Sequence, residues 1–401
     1  MAKIDQQKIR SIFSHNVEQI IDAQSLEGRL LSGEKLRIKY GVDVTSPVLH
    51  LGHAVNLWKM RELQEMGHKV IFLIGDFTTR IGDPTGRSMA RPQISEKQIQ
   101  RDAKEYKKQI SKILLLKPSV FEERYNSEWY DKIKLNDFFQ LLSKITYAQL
   151  IQRDMFQSRI KQGREIYIHE LLYPILQGYD SVMLKSDLTI IGQDQLFNEL
   201  IARDYQEIFN QTPQSIITTI ITPGIDGKEK QSKSLGNYIA ISDTPKDKFG
   251  KIMSIPDHLI VSYFKVYTKL SFSEVKQFEK QLKQGASPRD FKARLAYEIV
   301  KLYHGEEQAQ KAQKEFDRIF KYKKLPDKIP VYRVKKGSYK LIDILVSSRL
   351  TSSKSEARRL IEQGAVRINN DIINNWSCEI EPKNEAVVKV GKRRFIKIKI
   401  K

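Results

Sequence analysis

The stretch VIFLIGDF, residues 70–77, decides the fold class. It is a continuous apolar run closed by a Gly-Asp turn, which is the pattern of a central parallel strand covered on both faces. Before it, residues 54–67 carry apolar side chains at helical spacing and end at a glycine, a natural helix stop. Two more short apolar runs occupy residues 187–192 and 214–223. Strands separated by helices predict an α/β fold with a doubly wound parallel sheet over residues 1–241.

The rest of the chain divides by its pattern into three parts. From about Thr244 the apolar spacing is helical, which predicts a helical domain over residues 242–325. Residues 326–338 are rich in Pro and Lys without clear periodicity, and we expect a linker there. Residues 339–401 predict a small α/β domain, with two helical segments followed by strands that end in the strictly alternating FIKIKIK.

The composition is that of a soluble globular protein with more than one domain: 401 residues, of which 40% are hydrophobic and 29% charged. Lys and Arg total 69 against 48 Asp and Glu, a net charge of +21. This excess indicates a polyanionic partner, although a solvated lysine-rich surface would give the same count. No apolar run is long enough to span a membrane, the first residues contain no signal core, and Cys378 is the single cysteine. We therefore expect a reducing cytoplasm.

The quartet His50-Leu51-Gly52-His53 lies where the helix before residues 70–77 should begin. Two ordinary histidines at a helix start would look the same, and a metal site would lack a third ligand nearby. A phosphate site fits the context better. Glycine lets a group pack against the backbone, and the N-terminal amides of a helix favour anions. Imidazole N–H groups can then stabilise the charge on a reacting phosphate.

The segment GKEKQSKSLGNY, residues 227–238, is the second motif. Lys230 and Lys233 lie three residues apart, each followed within two residues by a serine, Ser232 and Ser234, and glycines flank the group. A plain solvated loop is the alternative interpretation. The pattern also suits a mobile loop that closes over a triphosphate.

The two motifs together resemble the HIGH and KMSKS signatures of class I aminoacyl-tRNA synthetases, which have a Rossmann-like nucleotide fold without the G-x-G-x-x-G fingerprint. The resemblance implies that ATP, with Mg²⁺ that needs no dedicated protein site, activates an amino acid as its adenylate before transfer to tRNA. It implies catalytic roles for His50, His53, Lys230, Lys233 and Thr45. It implies ATP contacts for Gly52, Gly192, Asp194, Ser232 and Ser234.

The segment YPILQGYD bears on which amino acid is activated. Tyr173, Gln177 and Asp180 share one face if the segment is helical, although Pro174 makes the start of that helix irregular. An ordinary amphipathic helix is the alternative, but Asp and Gln are unusual choices for a core stripe. The pattern is similar to the substrate helix of tyrosyl-tRNA synthetases. That similarity implies that Asp180 accepts the phenolic O–H of L-tyrosine, while Tyr173 and Gln177 hold its amino group.

Three further segments resemble the same family. FTTRIGDPTGR resembles its G-x-T-x-x-I-G-D-P-[ST]-G segment, and IIGQDQLFN resembles its G-x-D-Q motif. YGVDVTSPVLHLGH resembles the segment that lines the tyrosine pocket. The resemblance implies that Asp194 contacts the ATP ribose and that Thr45 joins His50 at the leaving phosphates. It completes the implied tyrosine-binding set, which is Gly41, Asp43, Thr78, Asp83, Tyr173, Gln177, Asp180 and Gln195.

Three departures from the family pattern affect these expectations. Lys39 stands where many tyrosyl enzymes offer the substrate phenol a second hydroxyl, so Lys39 either pairs with Asp180 or points elsewhere. Ile191 replaces a glycine before the G-x-D-Q motif. Gln231 replaces the usual Met of the mobile loop, which we expect to change the packing of the loop more than its chemistry.

Residues 341–369 are similar to an S4 RNA-binding domain. Lys354, Arg358 and Arg359 lie close together on its predicted helix, and from residue 339 onward fourteen Lys and Arg face seven Asp and Glu, a net charge of +7. Such residues suit contacts to RNA phosphates, with a solvated helix face as the alternative. The resemblance implies tRNA(Tyr) as a partner and a homodimer that pairs through an insert at about residues 102–158.

Three other functions account for fewer of these features. A tryptophanyl-tRNA synthetase shares the G-x-D-Q motif but has neither an S4 unit nor an acidic partner for a phenol. An RNA-binding regulator with a degenerate synthetase domain would have lost the signature histidines and lysines that this chain keeps. A small-molecule nucleotidylyltransferase would leave the K-x-S-K-S loop and the basic C-terminal region unexplained.

Overall fold

The computed structural model of the chain describes residues 6–44, 48–82, 95–233, 235–320, 329–369, 371–381, 385–391 and 394–400. These residues belong to two compact units, Met1–Gln313 and Lys314–Lys401. Of the site residues predicted from the sequence, Thr45, Asp83 and Ser234 lie outside the described ranges.

The first unit is built on a six-stranded sheet. Strand β1 pairs antiparallel with β6, and the other four pairings are all parallel. The order across the sheet is β1-β6-β5-β2-β3-β4. The strands are β1 (Val17–Ile21), β2 (Arg37–Val42), β3 (Lys69–Ile74), β4 (Phe121–Tyr125), β5 (Leu188–Gly192) and β6 (Ser215–Thr219). The predicted doubly wound parallel sheet is confirmed, with β1 as an added antiparallel edge.

Strand β3 is the apolar run that predicted the fold. Its side chains from Val70 to Ile74 are all buried, because β2 and β4 flank it and helices cover both faces. Phe72 lies between two aromatic rings of its neighbours, with its ring centroid 6.1 Å from that of Tyr40 and 6.4 Å from that of Phe121. This stack ties the three strands together at the centre of the core.

The strand order creates a crevice beside β2. The chain runs from β2 to β3 to β4 on one side and then returns to β5 and β6 on the other side. The loops that leave the carboxyl ends of β2 and β5 therefore part in opposite directions, which opens a binding crevice at that edge of an α/β sheet.

Eleven helices surround this sheet in the described part of the region before residue 220. The predicted helix before β3 is α3, which ends close to Gly67, whose φ of 89° is the left-handed conformation expected at a helix stop. The helices are α1 (Gln6–Ser14), α2 (Ala23–Leu31), α3 (Leu51–Glu65), α4 (Thr78–Ile81), α5 (Glu96–Ile110), α6 (Ser127–Tyr130), α7 (Leu135–Leu142), α8 (Tyr147–Ile151), α9 (Asp154–Lys161), α10 (Ile168–Leu184) and α11 (Leu196–Ile208).

The chain becomes helical from Thr244, as the sequence predicts. The Thr244 hydroxyl caps α12 by accepting a hydrogen bond from the Asp247 backbone N–H. The helices of this region are α12 (Pro245–Met253), α13 (Ile260–Tyr267), α14 (Phe272–Lys283), α15 (Pro288–His304) and α16 (Glu306–Phe320). No helix within the described ranges is both long and apolar enough to cross a lipid bilayer.

The second unit contains a five-stranded sheet in the order β10-β9-β12-β13-β7 and a two-stranded ribbon of β8 and β11. Helices α17 and α18 pack on the sheet through a core that includes Leu345, Ile361 and Ile398. Its elements are β7 (Val331–Val334), β8 (Tyr339–Lys340), α17 (Leu341–Ser347), α18 (Lys354–Glu362), β9 (Val366–Ile368), β10 (Asp371–Ile373), β11 (Glu379–Ile380), β12 (Val387–Val390) and β13 (Arg394–Ile400).

The segment expected to be a linker, residues 326–338, differs from that expectation. Its residues Val331–Val334 form β7, which pairs in parallel with β13. The strand is four residues long and only Val334 is buried in it, so its alternation is too short to stand out from a Lys-rich sequence. The long-range pairing with β13, not the local pattern, makes it a strand.

The central aromatic stack provides a test of the fold. We expect Phe72→Ala to lower the free energy of unfolding by about 3–5 kcal/mol, because it removes a fully buried ring and leaves a cavity. Urea denaturation followed by circular dichroism measures this loss. Phe272→Ala is the matched control, since that ring is 73% exposed and its loss should change stability by less than about 0.5 kcal/mol. Equal losses in the two variants would contradict the assignment of β3 to the core.

Candidate active site

A cavity of about 390 Å³ opens at the carboxyl ends of β2 and β5. It lies at the crevice that the strand order creates. The loop 227–238, α3, α10 and the start of α11 supply much of its wall, together with residues of β3, α4, α5 and the segment 219–222. The residues predicted for the site that line it are Gly41, Asp43, His50, Gly52, His53, Thr78, Tyr173, Gln177, Asp180, Gly192, Asp194, Gln195, Lys230 and Lys233. Ser232 lies on the same loop but is not part of this lining.

The two histidines are locked against the first turn of α3. The His50 Nδ1 accepts a hydrogen bond of 3.2 Å from the Gly52 backbone N–H, and the His53 Nδ1 accepts one of 3.2 Å from the His50 backbone N–H. An imidazole nitrogen that accepts from an amide carries no proton, so the proton of each neutral ring is on Nε2. Both residues line the cavity. They therefore present an Nε2–H donor to a ligand.

Burial keeps both rings neutral. It lowers the pKa of His50 to about 2, with further lowering from His53, Lys233 and Lys230. It lowers the pKa of His53 to about 3, again with a contribution from Lys233. Near neutral pH neither ring carries a charge, so each can donate a hydrogen bond but is poorly suited to move a proton.

Gly52 is required by the position of the His50 ring. A Cβ at residue 52 would lie 3.0 Å from the His50 Cε1 and 3.1 Å from its Nδ1. The group that packs against the glycine backbone is therefore the neighbouring imidazole. A side chain here would displace the ring from its hydrogen bond to the Gly52 amide.

The loop 227–238 is organised by Asn237, which the sequence analysis did not single out. Its Oδ1 accepts a hydrogen bond of 2.8 Å from the Ser232 backbone N–H, and its Nδ2 donates to the backbone carbonyls of Glu229 and Lys230 at 3.2 and 3.3 Å. A bond from the same Nδ2 to the Asp226 carboxylate, at 3.0 Å, completes the set. One amide thus fixes the turn from which both lysines project.

The two lysines of the loop reach across the cavity. The Lys230 Nζ is 2.7 Å from the Asp194 Oδ2, and the Lys233 Nζ is 3.3 Å from the Tyr106 hydroxyl. Gly192 leaves room for this arrangement, because a Cβ there would lie 2.8 Å from the Asp194 Oδ1. The structure therefore brings Lys230 and Asp194 into direct contact.

Gln231 faces inward. Its Nε2 donates to the Tyr267 hydroxyl at 2.7 Å, and its Oε1 accepts from the Ile239 backbone N–H at 3.3 Å. The base of the loop also pairs with the start of α3, since the Leu51 N–H donates to the Ile239 carbonyl at 3.0 Å. The replacement of Met by Gln at residue 231 thus affects how the loop packs. The hydrogen bond from Leu51 also connects the backbone of this region to the histidine motif.

Asp180 is buried at the opposite end of the cavity. The Trp129 Nε1–H donates to its Oδ1 at 3.0 Å, and the Asn126 Nδ2 donates to its Oδ2 at 3.4 Å. Burial raises the pKa of Asp180 to about 7, although the positive charge of Lys39, the nearby Tyr130 hydroxyl and the hydrogen bonds from Asn126 and Trp129 lower it. The Tyr130 hydroxyl itself donates to the Leu176 carbonyl at 2.6 Å. The sequence analysis missed Asn126 and Trp129, which carry no motif and lie more than 50 residues from Asp180.

The Asp43 carboxylate, which directly follows β2, accepts hydrogen bonds from two other residues predicted for the site. The Tyr173 hydroxyl donates to the Asp43 Oδ2 at 3.0 Å, and the Thr78 hydroxyl donates to the Asp43 Oδ1 at 2.9 Å. Asn126 also donates to the Thr78 Oγ1 at 3.0 Å. This chain of hydrogen bonds links the wall around Asp43 to the wall around Asp180.

Gln177 lies in a buried polar network on the α11 side. Its Nε2 donates to the Glu199 Oε1 at 2.7 Å, and its Oε1 accepts from the Asn198 Nδ2 at 2.7 Å. Asn198 also donates to the Gln195 Oε1 at 3.2 Å. Glu199 and Asn198 are therefore parts of the site that sequence reasoning missed. The only sequence signal for these two residues is their spacing, since Asn198 lies three and Glu199 four residues after Gln195.

Lys39 belongs to the same network. Its Nζ is 2.8 Å from the Glu199 Oε2 and donates to the Ser181 Oγ at 2.6 Å. Of the two possibilities left open by the sequence, the ammonium therefore takes Glu199 as its ion-pair partner. It nevertheless lies close enough to Asp180 to lower the pKa of that carboxyl.

The three predicted RNA-binding residues of the second unit, Lys354, Arg358 and Arg359, lie on the exposed face of α18. The Lys354 Nζ is 2.8 Å from the Asp343 Oδ1, and the Arg358 Nε is 3.0 Å from the Glu362 Oε1. The Arg358 guanidinium also lies over the Trp376 ring, 4.3 Å from its centroid. Exposed ion pairs of this kind are weak, so these cations remain available to an anionic partner.

The cavity has two chemically different ends. Two ammonium groups and two neutral imidazole donors surround one end, which suits the oxygens of a polyphosphate. The buried Asp180 carboxyl and its neutral donors lie at the other end, which suits a hydroxyl group held away from water. Such a cavity can bind a nucleotide and a small hydroxyl-bearing molecule side by side.

Two family models together match nearly the whole chain. The model described as tRNA synthetases class I (W and Y) matches residues 31–321. The model described as the tyrosine–tRNA ligase SYY-like C-terminal domain matches residues 321–398.

Curated relatives match over the same length. The tyrosine–tRNA ligase of Thermotoga maritima is 45% identical over 388 residues, which is 96% of this chain and 96% of the relative. The tyrosine–tRNA ligase of Carboxydothermus hydrogenoformans is 46% identical over 382 residues, which is 94% of this chain and 92% of the relative.

Solved structures share the fold at lower identity. The tyrosyl-tRNA synthetase of Archaeoglobus fulgidus, solved with L-tyrosine, has a TM-score of 0.61 at 23% identity and covers 77% of this chain and 99% of its own. A truncated mitochondrial tyrosyl-tRNA synthetase from Aspergillus nidulans has a TM-score of 0.62 at 21% identity, covering 78% of this chain and 93% of its own.

The half-buried, neutral histidines predict a dependence of stability on pH. Below about pH 6.5 the unfolded chain binds protons at residues 50 and 53, whereas the folded chain does not, so the free energy of unfolding falls as the pH falls. We expect the double variant His50→Gln, His53→Gln to lose less stability than the parent between pH 7 and pH 5. Urea denaturation at the two pH values measures the difference, which can reach about 1.4 kcal/mol per pH unit for each histidine. Identical slopes would contradict neutral, half-buried rings.

Proposed function

This chain belongs to the tyrosine–tRNA ligases within the class I tRNA synthetases, and we propose that the cavity beside β2 and β5 is where it activates its amino acid. The ligase joins L-tyrosine to ATP as tyrosyl-adenylate, releases pyrophosphate, and transfers tyrosine to the 3′ end of tRNA(Tyr). The observation that carries the assignment of the cavity is its pair of unlike ends, with phosphate-binding donors opposite a buried carboxyl.

The activation step needs charge stabilisation more than acid–base catalysis. A tyrosine carboxylate oxygen forms a bond to the α-phosphorus of ATP while the bond to the pyrophosphate oxygen breaks. The nucleophile is already ionised and the leaving group departs as an anion, so no proton has to move. The Nε2–H donors of His50 and His53 and the ammonium groups of Lys230 and Lys233 stabilise the transferring and leaving phosphates. Thr45, Ser232 and Ser234 have supporting roles there by resemblance to the family.

Lys230 exchanges partners during this step. Its contact of 2.7 Å with Asp194 occupies a carboxylate that, by family resemblance, accepts hydrogen bonds from the ATP ribose. When the ribose hydroxyls take Asp194, the ammonium is released toward the phosphates. Gly52 and Gly192 are proposed to contact ATP by resemblance to the family, and their missing Cβ atoms leave room for the His50 ring and the Asp194 carboxylate.

The other end of the cavity holds tyrosine. Asp180 accepts the phenolic O–H, and a substrate without that hydroxyl leaves the buried carboxylate unpaired, which is the physical basis for rejecting phenylalanine. Tyr173 and Gln177 hold the amino group. The other members of the proposed tyrosine site are Gly41, Asp43, Thr78, Asp83 and Gln195.

The basic C-terminal region is proposed to bind the tRNA as an S4 domain. The exposed cations Lys354, Arg358 and Arg359 on α18 support this role, because cations on one helix face can contact successive RNA phosphates. The domain boundaries at residues 241 and 325 remain predictions that go with this proposal, whereas β7 places residues 331–334 in the C-terminal sheet and not in a linker.

Mg²⁺ is proposed to enter the site bound to the phosphates of ATP, where it neutralises their charge. The phosphate end of the cavity offers nitrogen donors and cations, which suit phosphate oxygens and not a hard metal ion. Within the described ranges no group of three or more His, Cys, Asp or Glu side chains could hold a metal. The single cysteine supports a reducing compartment, and we propose the cytoplasm.

A homodimer is proposed through the insert at residues 102–158. Three large apolar side chains there are exposed in the single chain: Leu135 at 70%, Phe139 at 60% and Tyr147 at 65%. Leu135 and Phe139 lie four residues apart on α7 and therefore share one face. Apolar exposure at this density supports an interface with a second copy.

The tyrosine site is tested by exchange of pyrophosphate into ATP with tyrosine, tryptophan or phenylalanine as the amino acid. We expect exchange with tyrosine, and we expect Asp180→Ala to lower the ratio of kcat/KM for tyrosine over phenylalanine by at least about 100-fold, because the phenol loses its acceptor. Exchange with tryptophan but not with tyrosine would contradict the assignment. An unchanged tyrosine-to-phenylalanine ratio in the variant would move hydroxyl selection away from Asp180.

The dimer is tested on the exposed face of α7. We expect the double variant Leu135→Glu, Phe139→Glu to sediment as a monomer at micromolar concentration, because charged side chains cannot be buried in an apolar interface without a partner. Phe272→Glu, at a similarly exposed ring outside the insert, should leave the dimer intact. A monomeric parent protein would refute the proposal.

A further inference from the structure

Lys39 and Glu199 form a buried ion pair next to the tyrosine end of the cavity. Lys39 is 2% exposed, and its Nζ lies 2.8 Å from the Glu199 Oε2. Burying two charges costs desolvation energy that their attraction seldom returns in full, so such a pair is weak evidence of a stabilising role. The contact of 2.6 Å from the Lys39 Nζ to the Ser181 Oγ places the ammonium beside the residue that directly follows Asp180 on α10.

The other groups around Asp180 are neutral or negative. Trp129 and Asn126 donate hydrogen bonds from the segment after β4, and Tyr130 of α6 presents a hydroxyl whose pKa burial raises. Among carboxylates, Glu199 of α11 lies behind the Lys39 ammonium. Asp43 lies beyond Thr78, which Asn126 connects to Asp180. Lys39 is the positive charge that acts on Asp180 in the described structure.

We propose that Lys39 is a positioning residue for tyrosine selection: its ammonium, held by Glu199 and Ser181, keeps the Asp180 carboxyl in the ionised form that accepts the phenolic O–H. A protonated carboxyl keeps one carbonyl acceptor but loses the charge that strengthens the hydrogen bond from a phenol, and it costs less to leave unpaired beside a phenyl ring, so discrimination falls. Burial opposes ionisation, and it already raises the pKa of Asp180 to about 7 with Lys39 in place. Without that charge the carboxyl is protonated at neutral pH.

Glu199 keeps the ammonium where it is needed. Its carboxylate accepts hydrogen bonds from Gln177 at 2.7 Å and from Gln214 at 2.6 Å as well as pairing with Lys39. Three donors from β2, α10 and the segment before β6 thus hold one carboxylate in place. The Lys39 side chain is directed to one position, and the same carboxylate orients Gln177 for the proposed amino-group contact.

The inference rests on the proposed role of Asp180 and is tested through the pH profile of activation. The double variant Lys39→Met, Glu199→Gln removes both charges together, so that neither is left buried alone. We expect the acid limb of kcat/KM for tyrosine, measured by pyrophosphate exchange from pH 5.5 to 9, to move upward by about one pH unit or more. His50 and His53 stay neutral over this range and do not contribute to the limb.

Two comparisons separate this role from a structural one. For phenylalanine no hydroxyl needs an acceptor, so its kcat/KM should not fall along the same limb. The tyrosine-to-phenylalanine ratio of the variant at pH 7 should fall about fivefold for a shift of one pH unit, because the ionised fraction of Asp180 falls by that factor. Lys59→Met is the matched control, since it removes another buried lysine whose Nζ donates to the Ile12 carbonyl at 2.9 Å. We expect the Lys59→Met variant to be less stable than the parent protein but to show the same acid limb in its pH profile of kcat/KM for tyrosine.

The results distinguish the inference from the function on which it rests. If Asp180→Ala abolishes discrimination between tyrosine and phenylalanine but the acid limb of the double variant is not shifted, only the role of Lys39 is overturned. An Asp180→Ala variant with unchanged discrimination overturns the proposed role of Asp180 itself. Should this double variant fail to fold, the pH dependence of the tyrosine dissociation constant in the double variant Lys39→Gln, Glu199→Gln, measured by equilibrium dialysis, decides the same question, because it also removes both charges but keeps polar side chains at both positions.

Discussion

The pairing of β2 with β5 is the constraint on which the cavity depends. The two strands are separated in sequence by β3, β4 and the helices between them, yet Ile38 pairs with Leu188 and Lys39 with Thr189. Because the loops after the two strands leave in opposite directions, the phosphate donors and the tyrosine donors can approach from opposite sides. A different strand order would keep every motif and lose the crevice. The buried side chains of β2, β3 and β5 hold that order in place.

Much of this arrangement could be predicted from the sequence. The apolar run at β3 predicted the sheet because a strand buried on both faces has no polar positions to obscure it. Fourteen residues chosen from motifs line one cavity, since each motif ends at the same edge of the sheet. Asn126 and Trp129 could not be predicted, because their roles depend on contacts across the fold and no local spacing marks them, and for Glu199 the spacing from Gln195 gives no hint of its ion pair with Lys39. The strand β7 was missed for the same reason, since its partner β13 lies more than 60 residues away.

The two ends of the cavity use burial in opposite ways. At the phosphate end, burial makes His50 and His53 neutral donors, so the positive charge there comes from Lys230 and Lys233 on a loop. A loop can adjust its charges as the phosphate charge moves, while the fixed imidazoles define the geometry. At the tyrosine end the charged groups are fixed and buried, because recognition of one hydroxyl requires an acceptor that does not move. The lysines of the loop therefore serve the reaction, and the buried charged groups serve selection.

A carboxyl with a pKa near neutrality is an unusual choice for a selective acceptor, and its surroundings explain why it works here. A fully exposed aspartate would stay ionised but would be satisfied by water in the absence of a phenol, so phenylalanine would meet little resistance. A buried aspartate without a cation would protonate and lose its preference for a donor. Lys39 permits burial and ionisation together, and Glu199 prevents the ammonium from moving onto Asp180 and occupying the acceptor itself. The ion pair therefore allows the Asp180 carboxylate to be ionised and still free to accept the phenolic O–H. A single buried carboxylate without a cation cannot meet both requirements.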